Sequence, residues 1–165
     1  MPITKYYPFE PEQAPLEYRG LPEINPHLCV GCGACVNVCP PDALIKIDDY
    51  ENGTRKIVLD IGRCIRCARC EEVCPTRAIR LTREFEAASN DRICHVEIVE
   101  LKLAKCRECG KYVDYTERQL QKVLSLIPPG ILEFDRIREK LPLCRECKRF
   151  LTVVNATKFE EEMRE

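Results

Sequence analysis

The spacing of cysteines between residues 29 and 75 constrains this chain more than any other feature. Cys29, Cys32, Cys35 and Cys39 are followed by Pro40, and Cys64, Cys67, Cys70 and Cys74 by Pro75. Each run reads C-x2-C-x2-C-x3-C-P. Such a run sets three sulfurs on one short loop and carries a fourth away on a turn of helix. Gly31 and Gly33 suit a loop whose backbone must come close to what the sulfurs hold. Pro40 and Pro75 have no N–H to donate and halt the helical turn just after each last cysteine.

This doubled run is the signature of bacterial ferredoxins that carry two [4Fe–4S] clusters. Four thiolates hold each cubane, and the fourth cysteine of each run ligates the other cluster. The reading assigns Cys29, Cys32, Cys35 and Cys74 to cluster one, and Cys64, Cys67, Cys70 and Cys39 to cluster two. The competing readings are a disulfide scaffold and a pair of zinc knuckles. Two complete copies of the pattern argue against both. One-electron relay is the usual work of such a pair, with a purely structural role as the alternative.

At 165 residues the chain fits one domain or two small ones. Thirteen cysteines would need an oxidising compartment to act as a disulfide framework. The beginning, Met1-Pro-Ile-Thr-Lys-Tyr-Tyr-Pro8, has no apolar stretch of the export type, and no run reaches membrane-span length. The cysteines therefore read as metal ligands in a reducing compartment. The formal net charge of −1 counts thiols as neutral. Filled thiolate sites make the protein clearly acidic, which argues against a nucleic-acid partner.

Residues 1–28 contain Pro2, Pro8, Pro11, Pro15, Pro22 and Pro26, interleaved with Tyr6, Tyr7, Phe9 and Tyr18. Prolines at this density predict an extended arm. Its rings are either anchors for a partner surface or part of a loose tail. Between the cysteine runs, Ala43–Asp48 and Thr54–Asp60 flank Asn52-Gly53, which predicts a β-hairpin. Short helices are expected near Ala34–Val38 and Arg69–Val73, and a strand at Ala78–Leu81. The first cluster loop carries no charge, whereas Arg63, Arg66, Arg69 and Arg77 surround the second. Positive charge favours the reduced cluster, so cluster two is expected at the higher potential. Solvated arginines, or arginines paired with Glu71 and Glu72, are the alternative.

Residues 92–103 read as a strand with Cys94, Val96 and Ile98 on one face. Cys94 reads as a small buried apolar residue, and His95 should face the other way. Cys106, Cys109, Cys144 and Cys147 form two C-x2-C knuckles across a long gap. Two knuckles close a tetrahedral four-thiolate site with no open position, which suits structural zinc, with a single rubredoxin-like iron as the alternative. The gap predicts a helix capped by Asp114 or Thr116 and ending near Ile127, where Pro128-Pro129-Gly130 follows. A second helix is expected over about Leu132–Lys140. Thr157 and Glu160 form a capping box for a last short helix.

Residues outside the cluster motif narrow the family. Tyr18-Arg-Gly-Leu-Pro22, the hairpin insert, Glu71-Glu-Val-Cys-Pro-Thr76, Thr82-Arg-Glu-Phe-Glu86 and Cys144-Arg-Glu-Cys-Lys-Arg149 occur together. In these the chain resembles, over nearly its whole length, the ferredoxin-like subunit of formate hydrogenlyase and related energy-converting membrane-bound hydrogenases. That subunit is in turn similar to the two-cluster iron–sulfur subunit of respiratory complex I. The resemblance implies a non-catalytic electron-transfer subunit, cytoplasmic and peripheral on the membrane. It implies hydrogenase small and large subunits and other peripheral-arm subunits as partners, with an upstream redox donor. The alternatives are the equivalent subunit of a complex I-like quinone oxidoreductase and a free-standing ferredoxin.

The expected fold is α+β: a two-[4Fe–4S] ferredoxin domain over 29–82 with a hairpin insert, after an arm over 1–28. A strand plus helical four-Cys metal-binding domain follows over 83–165.

Overall fold

The structure, a computed structural model, describes Phe9, residues 13–128, Gly130 and residues 134–162, without the side chains of Arg92, Cys94 and residues 156–162. The expected roles of Tyr6, Tyr7, Cys94 and Leu132 lie outside what is described. The chain is mixed α and β. Its strands are β1 (Pro22–Ile24), β2 (Leu44–Asp49), β3 (Thr54–Asp60), β4 (Ile79–Leu81), β5 (Val96–Lys105) and β6 (Tyr112–Thr116). Its helices are α1 (Ala34–Asn37), α2 (Arg69–Glu72), α3 (Glu117–Leu126), α4 (Phe134–Lys140) and α5 (Arg145–Glu162). β1 pairs with β4, and a four-stranded sheet runs β2-β3-β5-β6.

Two compact units share the chain. One holds the described residues up to Cys29, Gly33–Ile45 and Val58–Val99; the other holds Val30–Cys32, Lys46–Ile57 and the residues from Glu100 onward. In the first unit β1 and β4 are antiparallel, with Glu23 opposite Arg80. Pro22 opens its strand, where a missing donor costs nothing. The Glu97 carboxylate accepts the Ile24 N–H at 3.0 Å. Ile24, Ala43, Leu44, Leu59, Ala78 and Ile79 are buried here. Part of the expected arm is thus a strand of this unit. Tyr18 stacks edge-on against Phe85 at 6.3 Å, and its hydroxyl accepts from Arg66 Nη1 at 3.2 Å. Phe9, by contrast, is exposed.

The hairpin forms where Asn52-Gly53 predicts it. Gly53 takes φ 67°, and the Asp49 carboxylate accepts the N–H groups of Glu51 and Asn52, each at 3.0 Å. Along β3 the pattern alternates: Arg55, Ile57 and Leu59 are buried, with half-buried residues between. A side chain at position 53 would collide with the Tyr112 ring.

Two expectations are corrected, and one strand is added. Residues 92–95 form a 3-10 turn, not a strand. The Asp91 carboxylate captures the Ile93 N–H at 3.0 Å and draws the backbone into that turn. The buried residues of β5 are Val99, Leu101, Leu103 and Ala104, whereas Ile98 is 60% exposed. Ahead of α3 there is a strand, β6, paired with β5 through Leu103 opposite Thr116. Thr116 then caps α3, accepting the Gln119 N–H at 3.0 Å. Finally, α5 runs unbroken from Arg145 to Glu162, so no new helix starts at Thr157.

Arg55 is a buried charge of the second unit, 2% exposed. Its Nε and Nη2 donate to the two Asp48 oxygens at 2.5 and 2.9 Å. Burial opposes ionisation of Asp48, but the hydrogen bond and charge of Arg55 outweigh it and hold the carboxyl below its usual range. A carboxyl with a depressed folded pKa stabilises the fold above its unfolded pKa of about 3.9, and that contribution is lost as pH falls through the folded value. Asp48→Asn should lower unfolding free energy by about 3 kcal/mol at pH 7, because it strands the guanidinium. The difference from the unmodified chain should shrink below pH about 4. Denaturant titrations at pH 7 and pH 3 check this, and a constant difference would contradict it.

Candidate metal centres

The two cysteine runs fold as repeats of one backbone path. Gly33 and Ala68 occupy equivalent positions and cap α1 and α2 in left-handed conformations, at φ 77° and 66°. Gly31 and Arg66 are likewise equivalent, at φ 68° and 56°, as are Asp42 and Arg77, at φ 50° and 53°. After each helical turn, Cys39 donates its N–H to Val36 and Cys74 to Glu71, at 3.3 and 3.4 Å. Left-handed conformations cost a residue with a side chain about 1–2 kcal/mol. Arg66, Ala68, Asp42 and Arg77 accept that cost because alternating hands turn successive N–H groups to one side. This is the nest that receives anions and iron–sulfur clusters.

Cys39, Cys64, Cys67 and Cys70 line one small cavity, walled by Leu44, Leu59 and Leu81 among others. α1 and α2 pack against each other, which brings the fourth cysteine of the first run to the loop of the second. Burial pushes the Cys70 thiol up to about 11, and the neighbouring Cys64 and Cys39 thiols push the same way. A metal centre that takes these sulfurs as thiolates removes that penalty. The Arg66 N–H points at Cys64 Sγ, 3.3 Å away. Cys74 Sγ receives the Ala78 N–H at 3.1 Å. Burial opposes its ionisation, but that bond and those from Ile79 and Thr76 hold the thiol below its usual range. Cys29, Cys32 and Cys35 lie on the first loop and α1, half-buried. This donor set, with its nests and sulfur-directed N–H groups, fits iron–sulfur clusters.

Three of the four arginines of the second loop, Arg63, Arg66 and Arg69, have specific partners. Arg63 reaches Asp60 at 4.0 Å and Arg69 reaches Glu72 at 3.6 Å. Arg66 spans Tyr18 and the Phe85 carbonyl. Glu71 instead accepts the Leu81 N–H.

In the second unit Cys106, Cys109, Cys144 and Cys147 bring their sulfurs within 4.8 Å of one another. Cys109 Sγ and Cys144 Sγ are 3.7 Å apart. Metal–sulfur bonds of about 2.3 Å in a tetrahedron put sulfurs about 3.8 Å apart. A cubane spreads its thiolates around four irons, so this spacing fits one ion. The first knuckle ends β5 and turns at Gly110 (φ 71°), whose N–H returns to Cys106 at 3.0 Å. The second opens α5. Cys106, Ala104, Val113 and Leu143 form the small core beneath. Burial opposes the Cys106 thiolate, but the N–H groups of Cys109, Cys144 and Glu108 outweigh it and bring the thiol down to about 6. The Cys144 N–H lies 3.2 Å from this sulfur. A ready thiolate under two knuckles is what a soft divalent ion requires.

Sequence reasoning missed Arg55 and Thr116, which hold the first cluster loop. Arg55 Nη1 donates to the Gly31 carbonyl at 3.0 Å, and Thr116 Oγ1 donates to the Val30 carbonyl at 2.5 Å. The signal for Arg55 was its place at an inward position of an alternating strand.

Comparison with known proteins follows the same lines. A family profile for the 4Fe–4S dicluster domain matches residues 28–78. The chain is 37% identical over 158 residues to formate hydrogenlyase subunit 6 of Escherichia coli (strain K12), covering 95% of this chain and 87% of that protein. It is 40% identical over 100 residues to NADH-quinone oxidoreductase subunit I 2 of Solibacter usitatus (strain Ellin6076), covering 54% of this chain and 66% of that one. Chloroplastic NAD(P)H-quinone oxidoreductase subunit I of Phoenix dactylifera is 39% identical over 97 residues, covering 56% and 60%. Among solved structures, a chain of the membrane-bound sulfane sulfur reductase, an archaeal respiratory membrane complex, aligns at TM-score 0.45 and 28% identity, covering 58% of this chain and 51% of that one.

The repeat makes a paired prediction. Gly31→Ala forces a side chain into a left-handed position with Leu101 Cδ1 at 2.6 Å. It should cost about 2 kcal/mol or more and lower iron content. Ala68→Gly relieves the same strain and should raise stability by up to about 1 kcal/mol with iron retained. Melting curves with iron assays check both, and a reversed order would refute the nest reading.

Proposed function

Because the chain belongs to the family of formate hydrogenlyase subunit 6, we propose that it is the electron-relay subunit of a membrane-bound hydrogenase complex. It passes single electrons through two [4Fe–4S] clusters toward the hydrogenase small and large subunits. Cys29, Cys32, Cys35 and Cys74 hold one cluster; Cys64, Cys67, Cys70 and Cys39 hold the other. The observation that carries this reading is the cavity lined by Cys39 together with Cys64, Cys67 and Cys70, which supports the crossed ligation of a two-cluster ferredoxin fold.

Bound clusters supply the one-electron carriers. The chain's residues hold the thiolates, wall them with apolar side chains and aim N–H groups at sulfur, the levers that set potential. The four C-terminal cysteines take one zinc ion as a structural staple, with a single iron as the alternative. Among the described residues no helix is long and apolar enough to cross a membrane. By analogy with its relative, a subunit of formate hydrogenlyase, the reading puts the chain at the cytoplasmic face of a membrane, held there by partner subunits. Similarity to subunit I of quinone oxidoreductases over about half the chain keeps a complex I-like assembly as the second reading.

Anaerobic purification of the tagged full chain should recover hydrogenase small and large subunits. Recovery of the chain alone, brown and stable, would refute the relay-subunit reading and favour a diffusible ferredoxin. In the assembled complex, Cys70→Ser should remove one cluster signal and reduce electron throughput to background while the ion at Cys106–Cys147 stays bound. Unchanged throughput without that cluster would contradict the relay.

A further inference from the structure

Val30, Gly31 and Cys32 form the part of the first cluster loop that belongs to the second unit, and two side chains of that unit grip it. Thr116, fully buried, donates to the Val30 carbonyl. Arg55, almost fully buried, donates to the Gly31 carbonyl. Neither donor is free to drift. Thr116 Oγ1 also caps α3. The remaining nitrogens of Arg55 are committed to both Asp48 oxygens and to the Asp114 carbonyl, the latter at 3.1 Å.

A trans peptide points its N–H opposite to its C=O. Fixing the Val30 and Gly31 carbonyls therefore fixes the N–H groups of Gly31 and Cys32 on the other side. Gly31 is buried. Among the described residues neither N–H has a protein acceptor. A buried donor without an acceptor is costly, so a ligand acceptor is called for. Gly31 has a left-handed φ of 68°, the geometry in which consecutive N–H groups converge on an anion.

We infer that Arg55 and Thr116 are positioning residues for the cluster bound through Cys32: they hold two carbonyls so that the N–H groups of Gly31 and Cys32 point at its sulfurs. A guanidinium on the carbonyl also polarises the peptide and strengthens its N–H as a donor. Stronger donation to sulfur favours the more negative, reduced cluster. Arg55 is paired with Asp48, so Arg55→Gln also leaves a carboxylate uncompensated; the Thr116 variants change no charge and read the effect through the peptide alone. The inference rests on the cluster-relay reading.

The test is a redox titration of the full chain, purified anaerobically with both clusters and followed by electron paramagnetic resonance. Thr116→Val keeps shape and removes the hydroxyl; Thr116→Ser keeps the hydroxyl. Arg55→Gln removes the charge-assisted donor. Thr116→Val and Arg55→Gln should each move the midpoint of one and the same cluster to more negative potential, leave the other unmoved, and keep full iron content. Thr116→Ser should restore the original value. Loaded variants whose midpoints stay put, or whose two clusters move together, would overturn the inference. If Arg55→Gln fails to fold, the Thr116 pair decides alone. An unmodified chain that takes up no [4Fe–4S] cluster would instead overturn the relay reading, and this inference with it.

Discussion

Thiolates crowded in an apolar cavity repel one another and resist ionisation, and much of this chain serves to make that crowding tolerable. The Cys39, Cys64, Cys67 and Cys70 sulfurs need metal to neutralise them and N–H groups to solvate them in place of water. Both needs shape the backbone. Loops that alternate right- and left-handed residues offer amides inward, and the first helical turn delivers Cys39 to the cysteines of the second run. The β1–β4 ribbon contributes Pro22 and Leu81 to the wall of that cavity. Crowding recurs on a smaller scale around Cys106, where donated N–H groups lower the thiol.

The two kinds of centre use their surroundings differently. The four-Cys site is local: two knuckles, one small core of Ala104, Val113 and Leu143, and sulfurs at the spacing of a single tetrahedral ion. The first cluster loop draws on distant sequence. Arg55 comes from the hairpin and Thr116 from the end of β6, and both act on carbonyls two bonds from the groups that matter. The hairpin insert is thus more than a decoration on a ferredoxin, since it brings the guanidinium.

Cysteine spacing made the candidate site legible because a ligand motif fixes the number of residues between sulfurs, and the fold brings Cys39 to Cys64, Cys67 and Cys70 and gathers Cys106, Cys109, Cys144 and Cys147. Asn52-Gly53 located the hairpin for a similar reason, a turn that demands a left-handed residue. Thr116 was readable as a helix cap, but its second bond, to Val30, joins residues far apart in sequence, which no local pattern reports. The 3-10 turn at 92–95 escaped because apolar alternation masks what a single Asp91 side chain does to the backbone. Tyr18 read equally as a partner anchor or as part of a loose tail, whereas it packs on Phe85 and takes a hydrogen bond from Arg66. The same contact qualifies the expectation that the second cluster has the higher potential. Arg63, Arg69 and Arg66 are engaged by Asp60, Glu72 and Tyr18, while the first loop, uncharged itself, rests on a buried arginine.

Gly31 and Arg66 stand at equivalent places in the repeat with the same left-handed backbone, yet their freedom to change differs. Around Gly31 the Leu101, Thr116 and Arg55 side chains leave no room for a Cβ. At position 66 the chain accommodates an arginine and uses it. The half whose loop is enclosed by Leu101, Thr116 and Arg55 has little capacity to vary. The other half is where natural variants should accumulate and where the electronic properties of the pair can be adjusted at least cost to folding.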